Sequence, residues 1–283
     1  MLFFTEKGIC YRLKVYEIPE GSRTSKGRAI QNLITIDPDD KVRTYLNAKS
    51  IESREYTDNH FVVLVTRRGI LKRTSLTNFA NSRSRNKGLI AINFKEGDGL
   101  LDAVLTDGHA QIFIAARNGR CVRFDENAAR ELGRTSMGVR GINIEEDDEV
   151  IGMICHNPED PEDAGKTVLV VSENGFGKRS EPDEYRITNR GAKGVKTINI
   201  TEKTGSLVAI KAVSEDSDLM IINKSGLVIR MSVSDIRVAG RATQGVKLIN
   251  IRQGDSIAAV SPVAGAEDET EDIPAETTAT ETE

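Results

Sequence analysis

Five glycines in a fixed register constrain this chain more than any other feature. Gly27, Gly88, Gly138, Gly194 and Gly245 are each followed five residues later by an asparagine: Asn32, Asn93, Asn143, Asn199 and Asn250. Nineteen residues before each stands another glycine (Gly8, Gly69, Gly119, Gly175, Gly226), and four residues after each of these an arginine (Arg12, Arg73, Arg123, Arg179, Arg230). Successive copies are offset by 61, 50, 56 and 51 residues, yet the internal spacing of 19 never changes. Insertions therefore fall between units, in polar stretches such as Ser50–Asn59 and Asn157–Lys166. A constant interior with variable connectors marks a repeat architecture with a period near fifty.

Each unit reads as strands. In the second, FVVLVT leads through RRG to ILKRTSL, then to GLIAINF and GDGLLDAVLTD. Asn118–Gly119 and Asn174–Gly175 carry the Asn-Gly chemistry of tight hairpin turns, and KEGD (Lys95–Asp98) and RQGD (Arg252–Asp255) mark a second turn later in the unit. Helical periodicity is nearly absent. The expectation is an all-β fold with four strands per unit and about five units, over residues 2–50, 60–108, 110–157, 166–216 and 218–263. A lone unit cannot bury both faces, so neighbours pack in a propeller-like ring, within one domain spanning 1–263. The glycine heading each Gly-x4-Asn segment is expected to permit a bend or a close backbone approach, and the asparagine to bond a neighbouring backbone.

The formal net charge of −4 argues against a polyanion partner until its distribution is considered. Ala266–Glu283, within the acidic 264–283 segment, holds eight carboxylates and no cation, which reads as disordered; outside it 39 basic residues face 35 acidic ones. The loop before each Gly-x4-Asn segment is basic in every copy. It carries Arg23, Lys26 and Arg28, then Arg83, Arg85 and Lys87, then Arg134 and Arg140. The fourth copy has Arg186, Arg190, Lys193 and Lys196, and the fifth Arg237, Arg241 and Lys247. Repeats place equivalent loops on one rim, so a curved belt of cations is expected, matched to duplex DNA held by its phosphates and selected only by deformability. The acidic GD turns and EEDDE (Glu145–Glu149) should lie elsewhere. Few aromatics interleave with the loops, which disfavours stacking on single strands. A propeller-type module binding an acidic protein through the same rim is the reading of another class.

Nothing in the chain reads as catalytic, and no cofactor is expected. His60, His109 and His156 lie far apart without zinc-ligand spacing, and no G-x-S-x-G elbow occurs. GFGKRS (Gly175–Ser180) resembles a phosphate loop only in part and, in register, is a hairpin turn. Cys10, Cys121 and Cys155 are odd in number and suit a reducing cytoplasm, with Cys10 and Cys121 read as buried apolar residues. No apolar run is long enough to span a bilayer.

The five units, with LFFTEKGICYRLKVYEIPEGSRTSKGRAI (Leu2–Ile30) and VTRRGILKRTSL (Val65–Leu76) the most telling, resemble the C-terminal domain of the DNA gyrase A protein over residues 2–263. The resemblance implies a β-pinwheel, whose blades exchange strands with their neighbours and whose basic rim wraps duplex DNA in support of ATP-dependent negative supercoiling. It also implies two partners, the breakage–reunion domain of the gyrase A protein and the gyrase B protein. That family has six blades and a signature, QRRGG followed by Arg or Lys and Gly, in the first. This chain has five units and no such signature, so the resemblance implies a chain that starts after the first blade and does not itself cut DNA. TNRGAKG (Thr188–Gly194) resembles a degenerate copy of the signature. The related domain of the topoisomerase IV A protein is the second candidate.

Overall fold

A computed structural model of the chain describes residues 1–22, 25–80, 88–252 and 254–265. Arg23, Arg83, Arg85, Lys87 and the Ala266–Glu283 segment lie outside the described residues. The first unit supplies β1 (Leu2–Thr5), β2 (Ile9–Arg12) and β3 (Val42–Leu46). The second supplies β4 (Phe61–Thr66), β5 (Ile70–Ser75), β6 (Leu89–Ile90) and β7 (Leu100–Thr106). The third consists of β8 (Gln111–Ala116), β9 (Arg120–Asp125), β10 (Val139–Arg140) and β11 (Val150–His156). The fourth consists of β12 (Thr167–Ser172), β13 (Phe176–Ser180), β14 (Val195–Lys196) and β15 (Leu207–Val213). The fifth consists of β16 (Asp218–Asn223), β17 (Val228–Ser232), β18 (Val246–Lys247) and β19 (Ile257–Val263). Two short helices, α1 (Arg54–Asp58) and α2 (Thr77–Ala80), lie between these strands. Ser53 caps α1, its hydroxyl accepting from Tyr56 N in the polar connector between the first two units.

The sheets are antiparallel and arranged in a ring, but they are not the units. Their orders are β3-β1-β2-β6, β10-β5-β4-β7, β11-β8-β9-β14, β15-β12-β13-β18 and β17-β16-β19. Each two-residue strand of a Gly-x4-Asn segment thus leaves its own unit and closes the outer edge of the preceding sheet: Cys10 pairs with Leu89, Leu71 with Val139, Cys121 with Val195 and Phe176 with Lys247. The unit is exchanged, and the fifth sheet has three strands among the described residues rather than four.

The runs that look continuously apolar are explained by their two neighbours. Side chains alternate across a strand, so Val62 and Leu64 pack with Leu2, Phe4 and Leu100 toward the first sheet, while Val63 and Val65 pack with Ile112, Ile114 and Phe124 toward the third. Val168 and Val170 join Phe113 and Ala115, and Leu169 and Val171 join Leu219 and Ile221. Every one of these cores therefore lies between sheets. In the first four units the arginine four residues after the hairpin glycine clasps the following unit. Arg12 donates to Ala80 O, Arg73 pairs with Glu126 at 3.3 Å, Arg123 donates to Pro182 O and Tyr185 O, and Arg179 to Ile236 O.

The hairpins are built alike. Thr5 and Thr66 hydroxyls accept from Ile9 N and Ile70 N, each at 3.1 Å. The carboxylates of Asp98, Asp148 and Asp255 accept the amides of Arg68, Asn118 and Ser225 just ahead of the turn glycines. These acids, two from GD turns and one from EEDDE, thus serve as caps of the hairpin ends. Cys10 and Cys121 are buried, and that burial pushes both thiols well up. Among the described residues no helix is long and apolar enough to cross a membrane.

Candidate nucleic-acid interface

The exchanged strands β6, β10, β14 and β18 are the outermost elements of their sheets, so their exposed side chains face the perimeter. The residue two past each leading glycine is Ile90, Arg140, Lys196 or Lys247, and all four are exposed. Three of the four positions are thus cationic. The backbone reaches this position only through a close approach. A Cβ on Gly194 would lie 2.6 Å from Cys121 O, and its φ is +77°, so a side chain is excluded on both counts.

Successive loops touch in a constant pattern. The amides of Asn93, Asn143 and Asn199 donate to Ser136 O, Ala192 O and Thr243 O, each two residues before the next leading glycine. The expected role of asparagine in bonding a neighbour is therefore carried mainly by its backbone. Among the described residues only Asn93 adds a side-chain bond to the next loop, to Thr135 O at 2.6 Å. Asn199 instead accepts from Lys196 Nζ. The arginines four residues before Gly138, Gly194 and Gly245 reach back over the preceding outer strand: Arg134 donates to Ile90 O at 3.2 Å, Arg190 to Arg140 O at 3.4 Å and Arg241 to Lys196 O at 2.8 Å. Arg190 also donates to Ala128 O, and Arg241 to Glu184 O. These guanidiniums are loop-to-loop ties as well as perimeter charges. They set Arg190 beside Arg140 and Arg241 beside Lys196, so that cations recur at successive outer strands across the third to fifth units.

The remaining expected residues divide by unit. Lys193, Arg186 and Arg237 are exposed. Lys26 and Arg28 are exposed too, but Gly27 has open space around it, and Ile30–Asn32 forms a short 3-10 turn rather than a strand. The first copy of the motif therefore departs from the strand expected of it: among the described residues no strand pairs with it. Two perimeter cations escaped the sequence reading. Arg130, exposed, stands eight residues before its leading glycine, as Arg186 and Arg237 do, and that shared spacing would have found it. Arg120, which faces Lys196 in register and donates to Gly194 O, follows a hairpin glycine where other units carry apolar residues, so no repeat signal marked it. GFGKRS is a hairpin turn running into β13, with Lys178 buried.

A ring of sheets that exchange their outer strands, with cations along the exchanged strands, defines a propeller-like β-pinwheel. The family described as DNA gyrase C-terminal domain, beta-propeller, matches residues 1–44, 60–107, 110–157, 166–214 and 217–264. The DNA gyrase A protein of Staphylococcus epidermidis is 44% identical over 268 residues, covering 95% of this chain and 29% of that protein. Its Staphylococcus aureus counterpart is 44% identical over 271 residues with the same coverages. The chain thus belongs to the DNA gyrase C-terminal domain family, and it spans less than a third of the length of these relatives. Among solved structures, the C-terminal domain of DNA topoisomerase IV superposes with a TM-score of 0.81 at 24% identity, over 93% of this chain and 78% of that one. A DNA gyrase A C-terminal domain superposes at 0.76 and 24%, over 92% and 81%. At that identity both speak for the fold.

Proposed function

We propose that this chain binds duplex DNA along its perimeter without reading sequence, bending it around the ring as the C-terminal part of a gyrase A protein. The observation that carries this reading is the run of Arg140, Arg190, Lys196 and Arg241, set at successive outer strands, with the Arg190 and Arg241 guanidiniums donating to the Arg140 and Lys196 carbonyls. Spaced cations on a curved edge contact phosphates and position a duplex without touching base edges. In this reading the chain supplies no cleavage chemistry. A breakage–reunion domain and the gyrase B protein provide that chemistry and ATP turnover in the cytoplasm, and the wrapped duplex supports negative supercoiling. The fold resemblance to topoisomerase IV leaves the A protein of that enzyme as the second reading, but the 44% identity to gyrase A proteins favours the first.

The test is duplex binding across a salt series, with log K expected to fall by roughly 0.9 per phosphate contacted. Replacing Arg190 and Lys193 together by Ala should weaken all duplex sequences alike and reduce the slope by about 1 for each phosphate no longer neutralised. Ligation of nicked circles in the presence of the chain should shift the topoisomer distribution if the duplex is wrapped chirally. Weakening confined to one sequence, or an unshifted distribution, would count against non-specific wrapping.

A further inference from the structure

The residue three past each hairpin glycine lies on the second strand of its sheet: Tyr11, Lys72, Val122, Lys178 and Ile229. Two of the five are lysines, and both are fully buried. An isolated buried ammonium is costly, and valine and isoleucine occupy the same place in other units. The two lysines therefore need a local reason.

Their bonds supply one. Lys72 Nζ donates to Ala91 O at 2.5 Å, to Ser136 O at 3.3 Å and to Arg134 O. All three of its hydrogens have acceptors. One is on the segment that leads out of the exchanged strand β6, and two are on the loop of the third unit. Lys178 Nζ donates to Gly240 O at 2.8 Å and to Ser180 Oγ at 2.9 Å. Arg134 is itself an acceptor residue of the first lysine, and Arg241 directly follows the acceptor Gly240 of the second. These are the arginines that reach back over the preceding outer strand. The charged groups that act on the two lysines are Arg134 for Lys72, and Glu184 and Arg241 for Lys178. Burial, with Arg134 adding, pulls Lys72 down to about 7, and burial pulls Lys178 down to about 8. Where Val122 replaces the lysine, the fourth unit's loop carries a bond from Gly191 N to Gly141 O. Its bond from Thr188 N to Arg123 O has counterparts from Leu132 N to Arg73 O and from Ala239 N to Arg179 O in the units with a lysine.

We propose that Lys72 and Lys178 are positioning residues that hold the loops bearing Arg134 and Arg241 against the perimeter, in the arrangement that contacts DNA phosphates. This rests on the duplex-binding reading above.

The test compares Lys72→Met and Lys178→Met in the full chain with Val63→Ala, a core truncation on β4 of the sheet that holds Lys72. Amide exchange in residues 133–138 should accelerate by roughly tenfold in Lys72→Met, and in 240–245 by a similar factor in Lys178→Met. Val63→Ala should leave both loops unchanged. In duplex titrations the salt slope of each lysine variant should fall in magnitude by about 1, with that of Val63→Ala unchanged. If Lys72→Met does not fold, Lys178→Met, with fewer acceptors to strand, carries the same comparison. Loop exchange unchanged in the lysine variants, or equally raised in Val63→Ala, overturns the positioning role. A wild-type chain without salt-dependent duplex affinity overturns the DNA reading and the phosphate half of this proposal, whatever the exchange data show.

Discussion

The fourth and fifth sheets have near-identical repeat registers and very different surroundings. In the fourth, every residue of β12 is buried, Gly175 is packed against the carbonyl of Ile249, and β13 is closed by β18. In the fifth, β16 alternates between buried and more exposed residues, a Cβ at Gly226 would meet nothing within 4 Å, and β17 carries no further strand among the described residues. The clasping arginine follows the same division. The Arg179 side chain is 4% exposed, and Arg230, turned to Asp218 of its own unit, is 47% exposed. The motif residues are present in both units. What differs is the successor unit, which fills the turn, closes the edge and receives the arginine. The cooperative element of this fold is the junction between units, because nearly every apolar cluster lies there.

The difference should be largest at the residue after the hairpin glycine. Phe176→Ala should cost about 3–4 kcal/mol in denaturant unfolding, as a buried aromatic truncation does. Its counterpart Leu227→Ala, half exposed, should stay within about 0.5 kcal/mol. Equal costs would mean that the fifth hairpin is as buried as the fourth. Next comes the glycine itself. Both Gly175 and Gly226 have positive φ, but a methyl on Gly175 would sit 2.6 Å from Ile249 O. Gly175→Ala should therefore cost about 3 kcal/mol against about 1 for Gly226→Ala, where only the left-handed backbone is strained. Truncating the clasps should separate by less. Arg179→Ala leaves the Ile236 carbonyl without its guanidinium donor and should cost about 2 kcal/mol, whereas Arg230→Ala removes an exposed pair and should cost under about 1. The smallest contrast is local. Outward amides of β17 should exchange through openings roughly 0.5–1 kcal/mol cheaper than the β13 amides covered by β18, and matched protection would show the fifth edge to be covered in solution.

Much of this was legible in the residues. Two glycines nineteen apart, an Arg-marked second strand and polar connectors describe a repeated all-β unit, and runs such as FVVLVT and TVLVVS announce strands covered on both faces. The perimeter charges were legible as a register, including Arg140, Lys196 and Lys247. The buried lysines were not, since position three after the hairpin glycine holds tyrosine, lysine, valine or isoleucine and so shows no pattern. Nor was the tie from Arg190 to Arg140 O, because a guanidinium and a backbone carbonyl fifty residues away leave no mark in composition.

The chain's own letters determined the unit, its turns and the sign of charge on each loop, because hairpin glycines, strand alternation and lysine or arginine act over a few residues. Tertiary structure alone decided which sheet each two-residue strand joins. Val195 and Lys196 make too few local bonds to choose a partner. They settle on β9 because there the Gly194 approach to Cys121 O, the burial of Ile198 and the bond from Asn199 N to Thr243 O are met together. Those conditions come from three different units, and they coexist only once the ring has been assembled.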